Sequence, residues 1–230
     1  MRDQLIARNP IDASERVSAP RKDAHYLAAP DVLKILQAAS PTRYAAILSL
    51  IATTGLRKGE ALALLWDDVD LERETLRVRK TLSRVDGNLT RTDPKTEKSK
   101  RTIPLRGTAA AVLKGHRKAQ LEERVRAANI WIDTGYVFTT ETGQPIDPRN
   151  VLRAITTAAT KAGLAGVNVH TLRHSAATYW LENGVHLRAV SDLLGHSSTR
   201  ITGDVYAHTS DEAASRAMDV LGSALELGKS

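Results

Sequence analysis

Five short segments of this sequence set an anion-seeking or proton-moving side chain beside a structural punctuation mark: TGLRKGE (Thr54 to Glu60), PKT (Pro94 to Thr96), HTLRH (His170 to His174), LLGH (Leu193 to His196) and the single residue Tyr206. Taken one at a time, each has an ordinary explanation. Arg57 follows a glycine that can end a helix, a common place for a surface or capping arginine. Lys95 is one cation among many in its segment. A tyrosine such as Tyr206 is by default a half-buried aromatic whose hydroxyl finds a partner.

His170 and His174 lie four residues apart, a spacing that could bring two imidazoles to one metal on a helix. The rest of a zinc site is missing. No glutamate follows the first histidine, the chain has no cysteine, and no acidic cluster offers further ligands. Arg173 stands three residues after His170, so both can project from nearly one helical face toward a single anion.

The elements that would position these residues are mostly helical. Pro30 and Asp31 open one apolar-periodic stretch, Thr42 can cap a second, and Gly55 is expected to end it. A short third helix would carry Glu60, Leu62 and Leu64. The period then changes to alternation at Leu76, Val78 and Lys80. Asp86, Gly87 and Asn88 form a turn signal, and Arg101 to Leu105 reads as extended, which predicts a small antiparallel sheet in a helical protein. Further helices are expected over 108–128, over 148–162 after an Asp147 cap, over 170–183 with Gly184 as stop, and over 187–194 ended by Gly195. A short strand is expected over Tyr136 to Thr140. An amphipathic tail helix is expected over Asp211 to Leu227, with Ala214, Met218, Leu221 and Leu225 on one face. The fold class is therefore mainly α with a small antiparallel β-sheet (α+β).

Charge is concentrated in one place. Between Arg73 and Arg106 there are eleven cations against four anions, a surplus equal to the +7 of all 230 residues. Such a run is either a solvated face or an edge that binds phosphates. The absence of cysteine excludes disulfide scaffolds, thiol catalysis and thiolate metal sites, and suits a reducing interior, so the cytoplasm is the expected location. The longest apolar run, near Ala45 to Thr53, is too short to span a bilayer, and no membrane role is expected.

Order changes the reading of the isolated residues. Arginine, lysine, histidine with arginine three on, histidine, then tyrosine ten residues later, set in TGLRKGEALAL, PKTEKSKRTIPL, HTLRHSAAT, LLGHSS and YAH, resemble the tyrosine recombinase or phage integrase family. The likeness runs from about Tyr26 to the tail.

The resemblance implies a site-specific DNA recombinase that cleaves and rejoins strands through a covalent 3′-phosphotyrosine. It implies Tyr206 as nucleophile and Arg57 and Arg173 on the non-bridging oxygens. His170 would assist proton movement, His196 would donate a hydrogen bond to the phosphate, and Lys95 would be the acid for the 5′ leaving oxygen. These roles match the needs of phosphodiester opening. Glu60 would hold Arg57 across one helical turn. No cofactor, ATP or metal is implied. The implied partners are double-stranded DNA, three further copies of the protein in a homotetramer, and accessory DNA-bending proteins. Residues 1–23 read as a linker or remnant of an absent DNA-clamping domain, 24–209 as the catalytic domain, and 210–230 as the helical tail. Three rivals stand beside this reading: a type IB topoisomerase, a regulator that binds DNA without cutting it, and a plain helical interaction domain.

Overall fold

The computed structural model describes residues 26–94 and 96–196. Lys95, Tyr206, the linker-like start and the tail helix expected over Asp211 to Leu227 lie outside them.

The order of elements is α1 (Ala29–Ala39), α2 (Ala45–Thr54), α3 (Lys58–Leu62), β1 (Val69–Asp70), β2 (Thr75–Val78), β3 (Thr81–Val85), β4 (Asn88–Thr92), β5 (Arg101–Pro104), α4 (Thr108–Ala127), α5 (Pro148–Lys161), α6 (Val169–Glu182) and α7 (Leu187–Leu194). Helix α2 is the centre of the molecule. Its Ile47, Leu48, Leu50 and Ile51 are fully buried, and it packs chiefly against α6 and α4, with α1 beside it. A helix apolar on so many sides belongs inside a core. Thr42 stands two residues before the cap position, which Tyr44 occupies without a side-chain bond; Thr42 Oγ1 accepts from the Tyr44 N–H at 3.3 Å in the turn leading into α2 and donates back to the Ala39 carbonyl at 2.7 Å. Asp147 does cap α5, accepting from the Arg149 N–H at 2.8 Å, and Asn168 caps α6 by accepting from His170 and Thr171.

The strands form two sheets where one was expected. Strands β1, β2 and β5 make an antiparallel sheet in the order β1-β2-β5, and β3 with β4 makes a separate hairpin. Asp86 (φ 47°) and Gly87 (φ 82°) turn that hairpin with both central residues left-handed, the geometry that matches strand twist. The hairpin stays apart because it is anchored elsewhere. Helix α3 lies so close to β3 that a Cβ on Gly59 would meet the Thr81 Oγ1 at 2.4 Å. Arg91 on β4 donates to the Ala63 carbonyl at 2.9 Å and to buried Asp68 at 3.0 Å.

Tyr136 to Thr140 is not a strand. It makes only single bridges, Leu65 to Tyr136 and Thr139 to Pro145. A side chain replaces the missing ladder: buried Gln120 Nε2 donates to the carbonyls of Tyr136 and Val137 and to Thr139 Oγ1, while its Oε1 accepts from Trp66. The main core extends from α1 through the sheet to α5 and the start of α6. A smaller cluster of Ala177, Val190 and Leu194, with Trp180, Leu181 and Val185 against it, ties α7 to the far end of α6. The junction of the two clusters is where the candidate residues meet.

Candidate active site

Helix α7 ends on Gly195, whose φ of +65° is left-handed. Its N–H reaches the Asp192 carbonyl and the His196 N–H reaches the Ser191 carbonyl, the two bonds of a Schellman stop. That pattern satisfies two of the helix's last four carbonyls and leaves those of Leu193 and Leu194 for donors from elsewhere. Three arginines supply them. Arg101 Nε donates to the Leu193 carbonyl at 2.6 Å, Arg173 Nη2 to that of Leu194 at 2.8 Å, and Arg57 Nη1 to the same oxygen at 3.3 Å. Arg173 Nη1 also reaches the carbonyl of Gly55, the left-handed residue that ends α2, at 2.5 Å. Two helix C-termini, each carrying partial negative charge, thus hold a buried guanidinium.

Arg57 sits in extended backbone just before α3, and Glu60 one turn later holds it twice. The carboxylate accepts from the Arg57 N–H at 2.9 Å and from its Nη1 at 2.8 Å. The Arg57 side chain keeps 37% of its surface exposed, and its Nε and Nη2 make no hydrogen bond to described residues. Glu60 is buried. Burial alone would raise its pKa, but the hydrogen bonds and charge of Arg101, then those of Arg57, hold it below the usual carboxylate value.

His196 follows Gly195 directly, and its Nε2 lies 3.0 Å from Arg173 Nη2. Burial, reinforced by the charges of Arg173, Arg57 and Arg101, pushes its pKa down to about 4. His170 is exposed at the first turn of α6, where partial desolvation and then the charges of Arg173, Lys58 and Arg57 lower its pKa as well. Both imidazoles are therefore neutral bases at physiological pH. His174 is shifted the same way by burial and by His170 and Arg173. Among the described residues, no group of three or more histidines and carboxylates is placed to hold a metal.

Of the six residues singled out by sequence, the structure brings Arg57, Arg173 and His196 into one hydrogen-bonded cluster, with His170 one turn before Arg173. Lys95 and Tyr206 lie outside the described residues. Arg101 was counted only as a cation of the sheet, yet its side chain is 7% exposed and bonded to Glu60 on both oxygens. A signal for it exists in the alternation of Arg101, Ile103 and Leu105, whose apolar members are buried while Thr102, Pro104 and Arg106 face outward. Nor is the basic segment a uniform open face. Arg84 pairs with Asp147, Arg79 and Arg91 with Asp68, Lys80 with Asp93, and Arg106 with Glu74.

The family model described as "Phage integrase family" matches residues 25–213. The chain belongs to the phage integrase family. Over 203 residues this integrase-family chain is 37% identical to the tyrosine recombinase XerC-like protein of Caldanaerobacter subterraneus subsp. tengcongensis, an alignment covering 83% of this chain and 52% of that protein. An integrase of Streptomyces ambofaciens is 34% identical, with 75% of this chain and 46% of that protein aligned. The chain thus spans about half the length of these curated relatives. Among solved structures, the XerA recombinase superposes with a TM-score of 0.67 at 27% identity, covering 88% of this chain and 66% of that one. The Tn1549 transposon integrase in complex with a circular intermediate DNA gives a TM-score of 0.72 at 21% identity, over 94% and 73% of the two chains.

Proposed function

We propose that this chain is the catalytic part of a site-specific DNA recombinase, with residues 24–209 as its catalytic domain. The observation that carries the reading is the meeting of Arg57, Arg173 and His196 around the Leu194 carbonyl, three anion-binding groups from three distant parts of the sequence. The XerC-like and XerA relatives carry the name recombinase, and the Tn1549 integrase was solved on DNA.

In this reading the Tyr206 oxygen attacks the scissile phosphorus, the bond to the 5′ oxygen breaks, and the 5′ oxygen takes a proton from Lys95. The 3′-phosphotyrosine conserves the bond, so the hydroxyl of another strand can reverse the step without ATP. Arg57 and Arg173 meet the non-bridging oxygens, whose charge grows in the transition state; planar guanidinium groups suit that task. Free phenol, with a pKa of about 10, is a weak nucleophile at neutral pH. Neutral His170 can take its proton. His196 accepts from Arg173 at Nε2 and so carries its own proton on Nδ1, which in this reading it donates to a phosphate oxygen. The partners in this reading are double-stranded DNA, a homotetramer assembled on it, and accessory DNA-bending proteins, with the cytoplasm as the location.

A nicked suicide duplex carrying the cognate site tests the reading, because loss of the short 5′ fragment prevents religation. The complete protein should accumulate a covalent adduct that Tyr206→Phe lacks. No adduct from the complete protein on its proper site would refute the catalytic role, and relaxation of plasmids without a specific site would point to a topoisomerase.

A further inference from the structure

We infer that Arg101 is a positioning residue for the phosphate-gripping arginines, setting Arg57 and the end of α7 in register with each other. The inference rests on the proposed role of Arg57 and Arg173 and assigns a function to a residue outside that set.

Four of its five N–H donors are engaged. Nε donates to the Leu193 carbonyl at 2.6 Å, Nη1 to the Ser99 carbonyl at 3.1 Å and to Glu60 Oε1 at 3.2 Å, and Nη2 to Glu60 Oε2 at 2.9 Å. With 7% of its side chain exposed, Arg101 has no face for a substrate oxygen. Two of its three acceptor residues, Glu60 and Leu193, belong to pieces of the cluster. Glu60 is the carboxylate that holds Arg57 by its backbone and its guanidinium. The Leu193 carbonyl precedes the one shared by Arg57 and Arg173, and three residues later comes His196. Ser99 closes the short turn Glu97–Ser99 that leads into β5.

The fit is close on the other side too. A Cβ on Gly195 would lie 2.7 Å from Arg101 Nη1, so the left-handed stop of α7 is packed directly on the guanidinium. One side chain on β5 therefore fixes the separation of α3 from α7. A lysine could keep the charge opposite Glu60, but an ammonium cannot span Leu193, Ser99 and both carboxylate oxygens with one planar fork. Displacements of about 1 Å in a catalytic group cost on the order of a hundredfold in rate.

The test compares single-turnover adduct formation by the complete protein on a suicide duplex with either an ordinary phosphodiester or a neutral methylphosphonate at the scissile position. The methylphosphonate removes the charge that the arginines meet, so a defect acting through them shrinks on it, whereas loss of folded protein does not. Arg101→Lys keeps Glu60 neutralised and serves as the variant safest for folding; Arg101→Met enlarges the effect. We expect Arg101→Lys to slow adduct formation on the phosphodiester on the order of a hundredfold, with a loss several-fold smaller on the methylphosphonate, as for Arg57→Ala. Wild-type rates for Arg101→Lys, or equal losses on both substrates while Arg57→Ala still shows the difference, overturn the role of Arg101 alone. Equal losses for Arg57→Ala as well overturn the phosphate grip and this inference together.

Discussion

Nη2 of Arg173 donates at once to the Leu194 carbonyl at 2.8 Å and to Nε2 of His196 at 3.0 Å. A guanidinium accepts nothing, so this contact fixes the imidazole as neutral at Nε2 and protonated at Nδ1. Protonating Nε2 would break the contact and set a second charge against Arg173.

Acid stability should report that arrangement. His196 titrates at about 4 in the folded protein against an ordinary 6.5, so between those values the unfolded chain binds the extra proton. Its neutral form therefore costs nothing above pH 6.5, and the folded state loses stability as pH falls from 6.5 toward 4. His170 and His174 act in the same direction. Replacing His196 by Asn, which still accepts from Arg173 but does not titrate, should flatten the pH dependence of the urea midpoint over that window. An unchanged slope would show that His196 is protonated in the fold.

Arg57 and Arg173, the arginines proposed to grip the phosphate, should separate in stability while agreeing in chemistry. Arg173 is buried, and its loss leaves the Gly55 carbonyl without this donor, a cost of roughly 1–3 kcal/mol for each buried group left unsatisfied. Arg57 is more exposed, and Glu60 retains Arg101 when it goes. Urea denaturation should rank Arg173→Ala well below Arg57→Ala. Both should lower adduct formation by on the order of 10²- to 10³-fold.

Asp68 offers a contrast remote from the cluster. It is buried, and it accepts from Arg91 at 3.0 Å and from the Leu65 N–H at 3.2 Å, with Arg79 at 3.4 Å. Asp68→Asn should destabilise the protein by roughly 1–3 kcal/mol, since a buried carboxylate loses its charge-assisted bonds while Arg91 and Arg79 keep access to water. Hydrogen exchange should rise first in the β3–β4 hairpin, which Arg91 moors, and little in α6.

Adduct formation should proceed unchanged in excess EDTA. Guanidinium groups meet the phosphate charge in the proposed mechanism, the task a divalent ion would otherwise perform. Abolition by EDTA, restored by a divalent cation, would require a different catalyst.

Several elements were legible because local physics decides them. Gly55 and Gly195 stop their helices through left-handed backbone, Asp147 caps α5, and Asp86 with Gly87 turns the hairpin, all from side-chain types at short range. Thr42 marks the entry to α2 two residues early, because its hydroxyl accepts from the Tyr44 N–H while also bonding back to the preceding turn. The strand expected at Tyr136 failed because its partner is the Gln120 side chain on a helix, which no periodicity announces.

The sequence by itself determined the residue types of the cluster, their order and, through five motifs, the family. It also marked Gly55, Gly87 and Gly195 as left-handed positions, though not Glu74 or Ala128, which also take positive φ. What only the tertiary structure decided is how those residues are used. The Schellman stop leaves two carbonyls at the end of α7, and long-range packing of α2, α3, β5 and α6 brings three arginines to them. Among the described cations of the basic segment, burial singles out Arg101, whose neighbours in space, Glu60 and Leu193, are far away in sequence. Spacing sets what a side chain can do, and the low-dielectric surroundings assembled by folding set its charge, its proton and its partner.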